Sequence, residues 1–432
     1  MTAERPNPYQ PTLVTLRNGV SLLNAPSASR NVGVFLIVRA GSRDETPETS
    51  GLAHYLEHMF FKGTERRPST KIISREIDRL GASTNAYTDT EEVAYYAEGP
   101  ATALTELADI ITDMLSRPLF EAEEVERERN VVLQELGMRL ADPEGWIWDR
   151  IGSVAFGGGQ PLSWSAAGFP AVIERAGRDQ LVAYHKSFYA PKSMCLVISG
   201  GSSLMAEDAE RFLAGVPNAR TRKRSAARWG LGDRYTASIR PATRDEEPQT
   251  RVVFAVPGIP ATDPDRTALS VMTHILGGGM SSRLFQTVRE RNGLCYSIYA
   301  LHEGFDDCGL FAISTATRPK DARRATQLSF KEFRRLIGKR VVADELAAAK
   351  SAMIGRLLRS TETAIAGARF YGGRWRAGLP VETPDQRADA IAAVTAEQVQ
   401  AMAERIGAGL EQVRLAFVGP EDQGEELLAA TA

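Results

Sequence analysis

The chain has 432 residues, of which 43% are hydrophobic and 25% are charged, and its formal net charge is −2. This composition excludes a disordered or low-complexity protein, the balance of charges argues against a nucleic-acid partner, and no apolar run approaches the roughly 20 residues that cross a membrane. The N-terminal segment lacks the apolar core of a signal peptide, and three widely spaced cysteines do not indicate a disulfide framework, so we expect a cytoplasmic protein.

The first half of the sequence predicts strands followed by helices. The turn dipeptide Asn18-Gly19 between two apolar stretches predicts a hairpin over 13–25, and the apolar run 31–41 predicts a buried strand. Further elements are expected as helices over 51–62, 70–80, 101–116 and 121–140, and as strands over 83–99 and 193–200.

A basic segment with little apolar periodicity separates the two halves and is interpreted as an interdomain linker. It divides the chain into an N-terminal domain 1–218, a linker 219–245 and a C-terminal domain 246–432. Because no aromatic stacking platform accompanies its basic residues, a solvated linker is favoured over a nucleic-acid patch.

The second half repeats the order of elements in the first half. It predicts a strand over 251–258, a helix over 265–276, another helix within 277–293 and two strands over 294–317. A helix–loop–helix followed by a β-hairpin therefore occurs in both halves. Because strands and helices do not strictly alternate, we expect an α+β fold of two similar domains, each an antiparallel sheet backed by helices.

An H-x-x-E-H motif lies in the predicted helix 51–62, for which Ser50 is a plausible N-cap. His54 and His58 are four residues apart and project from one side of a helix, and Glu57 points to that side too. Two imidazoles and a carboxylate supply two ligands for a catalytic Zn²⁺ and a base for its bound water. The alternative is a chance pattern, which is rare in a chain with only five histidines.

A catalytic zinc site needs a third protein ligand, and Glu135 in the predicted helix 121–140 is the best candidate. A carboxylate beside apolar helical neighbours needs a partner, and a metal ion would be a good one. Glu128 lies two turns earlier on the same helix face and could orient a ligand imidazole. The alternative is that both belong to a solvated charged face, since the helix also carries a Glu-rich run.

The motif and its surroundings resemble the pitrilysin-type zinc metallopeptidases, the inverzincins. The resemblance is carried by the segments RAGSRDETPETSGLAHYLEHMFFKGT, NAYTD, YYAEG, ERNVVLQEL and GGGMSSRLFQTVRERNGLCYSIYA. It covers nearly the whole chain, and the length resembles the shorter, processing-peptidase-like branch of the family. The resemblance implies that the chain is half of a clamshell, built from two similar α+β domains, and that two chains close around a chamber.

The resemblance also implies a role for each residue of the motif region. His54 and His58 match two zinc ligands, and Glu135 matches the third. Glu57 matches the general base, and Glu128 matches a carboxylate outside the ligand sphere that supports it.

Four further residues match substrate-binding positions of the family. Asn85 and Ala86 match an edge strand on which an extended peptide docks through its backbone. Arg289 and Tyr296 match a pair that binds substrate and transition-state oxygens, which a phenol and a guanidinium can do by hydrogen bonding. By their residue types alone, a surface cation of the helix is favoured for Arg289 and a core residue of a strand for Tyr296.

The sequence thus predicts a zinc metalloendopeptidase that hydrolyses unfolded peptides inside an enclosed chamber, with one Zn²⁺ per chain. Because the motif and the Arg/Tyr pair occur in one chain, a homodimer is expected, or a heterodimer with a related chain. Two alternatives remain, a catalytically silent scaffold or partner subunit of the same fold and a helper that binds peptides without cleaving them. The intact motif argues against the silent subunit, because such a subunit has no chemical need for a general base.

Overall fold

The computed structural model describes residues 9–217, 219, 224–230, 232–240 and 249–432. Parts of the predicted linker, namely 220–223, 231 and 241–245, lie outside the described residues. Within the described ranges, no helix is both long and apolar enough to cross a membrane.

The chain forms two compact units, and each combines stretches from both halves of the sequence. The first unit consists of Met1–Gly137, Ser165–Ser225 and Leu358–Pro384. The second unit consists of Met138–Trp164, Ala226–Leu357 and Asp385–Ala432. The division into domains 1–218 and 246–432 stays a prediction. In the structure, the stretch 138–164 groups with the second unit and the stretch 358–384 with the first.

The first unit contains a six-stranded sheet. Its strands are β1 (Thr12–Thr15), β2 (Ser21–Pro26), β3 (Asn31–Val38), β4 (Ser83–Thr88), β5 (Val93–Pro100) and β6 (Met194–Gly200). They lie in the order β1-β2-β6-β3-β5-β4, which places β4 at an edge. All neighbours are antiparallel except β2 and β6, which are parallel.

The second unit contains a five-stranded sheet of the same topology. Its strands are β7 (Tyr235–Ile239), β8 (Thr250–Pro257), β9 (Cys295–Gly304), β10 (Gly309–Thr317) and β11 (Arg414–Gly419). Their order β7-β11-β8-β10-β9 repeats the order β2-β6-β3-β5-β4, and β7 and β11 again form the one parallel pair. The predicted α+β fold of two similar halves is confirmed, with one parallel pair added to each otherwise antiparallel sheet.

Helices cover the sheets. In chain order they are α1 (Leu52–Met59), α2 (Thr70–Arg79), α3 (Leu104–Ser116), α4 (Ala122–Ala141), α5 (Pro143–Phe156), α6 (Pro170–Ile173), α7 (Arg178–Phe188), α8 (Ala206–Phe212), α9 (Arg266–Gly277), α10 (Ala322–Gly338), α11 (Ala343–Ser360), α12 (Ala364–Arg376), α13 (Pro384–Ala392), α14 (Ala396–Gly407) and α15 (Gly424–Ala429). The segment Phe285–Glu290, predicted as part of an ordinary helix, is π-helical.

Strand β3 is apolar throughout because both of its faces are covered. Val34, Leu36 and Val38 belong to a core shared with α1 and α3, whereas Phe35 and Ile37 pack with residues of α12. Alternate side chains of a strand point to opposite faces, so an uninterrupted apolar run is what a doubly covered strand requires.

Strand β8 of the second unit shows the same pattern. Val252, Phe254 and Val256 pack with residues of α9, α10 and α14, and Val253 and Ala255 pack with residues of α5. The helix that covers the second face of each sheet therefore comes from the other half of the sequence, namely α12 in the first unit and α5 in the second.

Two local predictions have different outcomes. The hairpin is confirmed, because β1 and β2 pair antiparallel around a turn in which Gly19 has a φ of +95°. The N-cap prediction is wrong, because Gly51, with a φ of +98°, occupies the N-cap position of α1, and not Ser50.

Candidate metal centre

Helix α1 is anchored in the core on one side and carries the two histidines on the other. Leu52, Leu56 and Met59 are at most 1% exposed. His54 and His58, one turn apart, have side chains that are 12% and 19% exposed. Their rings stand at 85° to each other, and the two Nε2 atoms lie 3.3 Å apart. The helix therefore presents two ring nitrogens to the same point.

Glu135 reaches this point from helix α4. Its Oε2 lies 3.4 Å from the Nε2 of His58 and 3.8 Å from the Nε2 of His54. Among the described residues, this is the one group of three His, Cys, Asp or Glu side chains that could hold a metal ion. The helix is held in place by buried residues at helical spacing, namely Val125, Glu128, Val132 and Leu136.

The spacing of the three atoms fits a zinc ion. Ligand atoms about 2.0–2.1 Å from zinc at tetrahedral angles lie about 3.3–3.4 Å from one another. Two of the observed separations, 3.3 and 3.4 Å, match this value, and the third is 3.8 Å. Two histidines and one glutamate are a donor set of catalytic zinc sites, which leave a position to solvent, and the Glu135 side chain is 47% exposed.

Glu128 orients the ring of His58. Its Oε1 accepts a hydrogen bond from Nδ1 of His58 at 2.9 Å, and its Oε2 lies 2.5 Å from Nζ of Lys62. Burial would raise the pKa of Glu128, but the hydrogen bonds from His58 and Lys62 outweigh it and lower the pKa. With the Nδ1 proton engaged, Nε2 of neutral His58 is the acceptor atom and faces Glu135. The sequence analysis assigned no role to Lys62.

Burial would lower the pKa of His58, but its hydrogen bond to Glu128 and the carboxylates around it outweigh burial and raise the pKa. The carboxylates of Glu57, Glu128 and Glu135 therefore place negative charge around the ring, which is the environment that favours a bound cation.

Glu57 is held by the last residue of strand β4. The hydroxyl of Thr88 donates a hydrogen bond to Oε2 of Glu57 at 2.6 Å. Burial raises the pKa of Glu57, although the Thr88 hydroxyl and His58 act in the opposite direction. The sequence analysis missed Thr88, even though it lies in the NAYTD segment that had pointed to Asn85 and Ala86.

Asn85 and Ala86 lie in β4, an edge strand with β5 as its one neighbour in the sheet. Asn85 is exposed, and Ala86 is half-buried against the core. The backbone N–H of Ala86 donates to the Asn85 side-chain oxygen at 2.8 Å. Strand β4 therefore presents an edge that runs from these residues to Thr88 and the carboxylate of Glu57.

Arg289 and Tyr296 lie together in the second unit. The guanidinium carbon of Arg289, in the π-helical segment, is 5.7 Å from the ring centroid of Tyr296 in the edge strand β9. The alternative that Tyr296 belongs to a strand core is wrong, because this residue is 78% exposed. Tyr296 also lines a cavity of about 280 Å³. Its hydroxyl is therefore available to a ligand.

Two family models match the chain. The model described as "Insulinase (Peptidase family M16)" matches residues 20–161, and the model described as "Peptidase M16 inactive domain" matches residues 175–353. The first range contains His54, His58 and Glu135, and the second contains Arg289 and Tyr296.

The chain is also similar to curated proteins and solved structures over most of its length. An uncharacterized zinc protease of Streptomyces coelicolor is 31% identical over 91% of this chain and 86% of the relative, and one of Bacillus subtilis is 28% identical over 94% and 97%. A protease from Helicobacter pylori has a TM-score of 0.85 at 18% identity, covering 95% of this chain and 99% of that chain. A peptidase M16 inactive domain from Pseudomonas fluorescens has a TM-score of 0.86 at 21% identity, with 96% and 99% covered.

Proposed function

Since this chain belongs to peptidase family M16, we propose that it is a zinc-dependent endopeptidase that hydrolyses unfolded peptides and binds one Zn²⁺ per chain. The observation that carries the proposal is the convergence of three ligand atoms, 3.3 to 3.8 Å apart, beside the half-buried carboxylate of Glu57. That the relatives are named zinc proteases supports the choice of metal.

In this proposal His54, His58 and Glu135 hold the zinc ion through two Nε2 atoms and one carboxylate oxygen. When bound, zinc acidifies a water molecule and polarises the scissile carbonyl. Glu128 keeps the Nδ1 proton of His58 engaged, so that Nε2 stays directed at the metal position, and Lys62 in turn holds Glu128.

Glu57 acts as the general base and then as the general acid. Its carboxylate takes a proton from the attacking water and passes it to the nitrogen of the leaving amine. The hydroxyl of Thr88 engages Oε2, so Oε1 is the oxygen that carries the proton. A pKa raised by burial suits this role, since proton transfer is most efficient when the pKa lies near the working pH.

Substrate binding is assigned to the two edge strands. The edge of β4 at Asn85 and Ala86 pairs with an extended peptide backbone, which makes recognition depend little on sequence. Tyr296 and Arg289 donate hydrogen bonds to the oxyanion and to a substrate carbonyl. We further propose that two chains, either identical or related, close around a chamber that rejects folded proteins, and that the enzyme works in the cytoplasm.

The test compares wild type with Glu57→Gln on a quenched fluorescent peptide, together with zinc content by mass spectrometry. The amide cannot accept the proton, so cleavage should fall by several orders of magnitude while one zinc per chain is retained. The matched control is Glu123→Gln, whose side chain on α4 is 88% exposed, and which should leave the rate unchanged. Equal rates for wild type and Glu57→Gln would contradict the mechanism.

A second candidate, a catalytically silent subunit or a peptide-binding helper, is favoured by the "inactive domain" model that matches 175–353. In the same experiment it predicts a wild type that releases no product from the peptide even when it contains zinc.

A further inference from the structure

The first turn of α1 cannot be capped by its own N-cap residue. Gly51 has a φ of +98° and carries no side chain. A Cβ at Gly51 would lie 2.9 Å from the carbonyl oxygen of Ala167, and one at Gly168 would lie 2.1 Å from Cα of Gly51. The two glycines therefore pack back to back, which leaves no room for the Ser, Thr or Asp that usually accepts the first N–H groups of a helix.

Glu45 takes over this function from outside the helix. One oxygen, Oε2, accepts the N–H of Gly51 at 2.8 Å, and the other, Oε1, accepts the N–H of Ala53 at 2.8 Å. Glu45 is 4% exposed. Burial raises its pKa to about 8, against the opposing effect of the backbone donors. Both donors belong to the turn that leads into His54.

The loop that carries Glu45 is itself held by ion pairs. Arg224 binds the neighbouring carboxylate of Asp44 through two hydrogen bonds of 2.8 and 2.7 Å, and donates to the backbone oxygen of Glu91 at 2.8 Å. The buried carboxylate of Glu91 binds Arg43 at 2.5 Å and Arg376 at 2.6 Å. Charges from several parts of the first unit thus fix the loop against which α1 begins.

We propose that Glu45 is a positioning residue of the metal centre, which sets the direction of the first turn of α1 and so the location of the His54 Nε2 atom. The inference rests on the proposed zinc site. A small rotation of this turn changes the 3.3 and 3.8 Å separations from His58 and Glu135, on which a shared metal depends. Glu45 touches neither the metal position nor substrate.

The test uses Glu45→Ala, which removes both acceptors, and Glu45→Gln, which keeps one. The matched control is Asp142→Ala, because Asp142 caps α5 in the second unit through two N–H groups in the same way. Two properties are measured on the full chain: hydrogen–deuterium exchange of the metal-free protein by mass spectrometry, and the zinc dissociation constant in competition with a chromophoric chelator.

In Glu45→Ala we expect exchange in the 51–60 segment to accelerate about tenfold and the zinc dissociation constant to rise about tenfold, with smaller changes in Glu45→Gln. In Asp142→Ala we expect faster exchange in α5 and a zinc dissociation constant within twofold of wild type. A zinc affinity or an α1 exchange rate equal to wild type would overturn the inference. If Glu45→Ala does not fold, the same readouts on Glu45→Gln decide. Peptide cleavage is not measured here, so an inactive wild type would overturn the proposed function without changing either readout.

Discussion

The two units share one strand order, yet among the described residues a group of candidate metal ligands occurs in the first unit alone. Helix α1 follows β3, and helix α9 follows β8, which occupies the equivalent place in its sheet. When the first residues of α1 and α9 are aligned, the two histidines and the glutamate of the motif correspond to Ala268, Met272 and Val271. When the last residues are aligned, they correspond to Met272, Leu276 and Ile275. All five residues of α9 are apolar and buried.

Helix α4, which carries Glu128 and Glu135, also differs from its counterpart α11 in the second unit at the positions of these two residues. At equal distances from their first residues, α4 carries Glu128 and Glu135 where α11 carries Ala349 and Arg356. Burial and the charge of Arg356 lower the pKa of His274 in α9, so this histidine is kept neutral, and the charge that acts on it is a cation and not a carboxylate. The topology thus depends on apolar strands and apolar helix faces that both units share, whereas metal chemistry depends on a few polar positions that differ without altering the fold.

Substituting one histidine in each unit tests this comparison with the largest expected effect. His54→Ala should lose its zinc and lower peptide cleavage by at least about a thousandfold, because two remaining ligands hold the ion poorly. His274→Ala, the matched variant in α9, should keep both zinc content and cleavage rate. Metal analysis and the peptide assay check this, and the comparison would fail if both variants lost zinc equally.

A substitution with a smaller expected effect tests whether the unit without metal ligands contributes to the chemistry. Tyr296→Phe should lower kcat about 10²- to 10³-fold with zinc retained and KM little changed, because a donor to the oxyanion is removed. The control is Tyr299→Phe in the same strand, whose hydroxyl donates to Glu144 at 3.2 Å. A kcat equal to wild type in Tyr296→Phe would restrict the chemistry to the first unit.

The smallest effect concerns stability, in which we expect the two units to behave alike. Burial lowers the pKa of His185 in the first unit and of His302 in the second to about 4. The unfolded chain binds these protons near pH 6.5 and the folded chain does not, so stability is lost as the pH falls from 6.5 toward 4. Each histidine should cost about 2 kcal/mol between pH 7 and pH 5.

Urea unfolding at pH 7 and pH 5 measures this loss. His185→Phe, which keeps a ring against Phe60 and Tyr189, should reduce the pH-dependent loss by about 2 kcal/mol, and His302→Gln should do the same. A pH-dependent loss that both variants leave unchanged would show that other groups cause it.

Most of the local structure of the site region was predictable because it follows from short-range patterns. The helix with the motif, its orientation toward the core and the hairpin at Asn18-Gly19 all depend on residues within a few positions of each other. The strand β3 was recognisable from its continuous apolar run. The roles of His54, Glu57, His58 and Glu135 remain proposals, although the structure brings the ligand atoms of three of them together.

Other features of the site had no local signal. The contact of Thr88 with Glu57 joins residues 31 positions apart, and the contact of Lys62 with Glu128 joins the turn after α1 to helix α4. The predicted cap Ser50 was wrong because Gly168, far along the chain, packs against Gly51 and leaves capping to Glu45. It was also not predicted that α5 packs on the sheet of the second unit and α12 on the sheet of the first unit. An amphipathic pattern shows that a helix has an apolar face, but it does not specify which sheet that face packs against.

By itself the sequence determined the strands and helices around the motif, the likeness of the two halves, and the side of the helix from which the imidazole pair projects, since each of these depends on periodicity along a short stretch. The tertiary structure alone decided that Thr88 and Lys62 support the site, that Glu45 caps its helix, and which helix covers the second face of each sheet. These contacts join residues that are distant in sequence, and they form only when whole surfaces pack, so no local pattern encodes them.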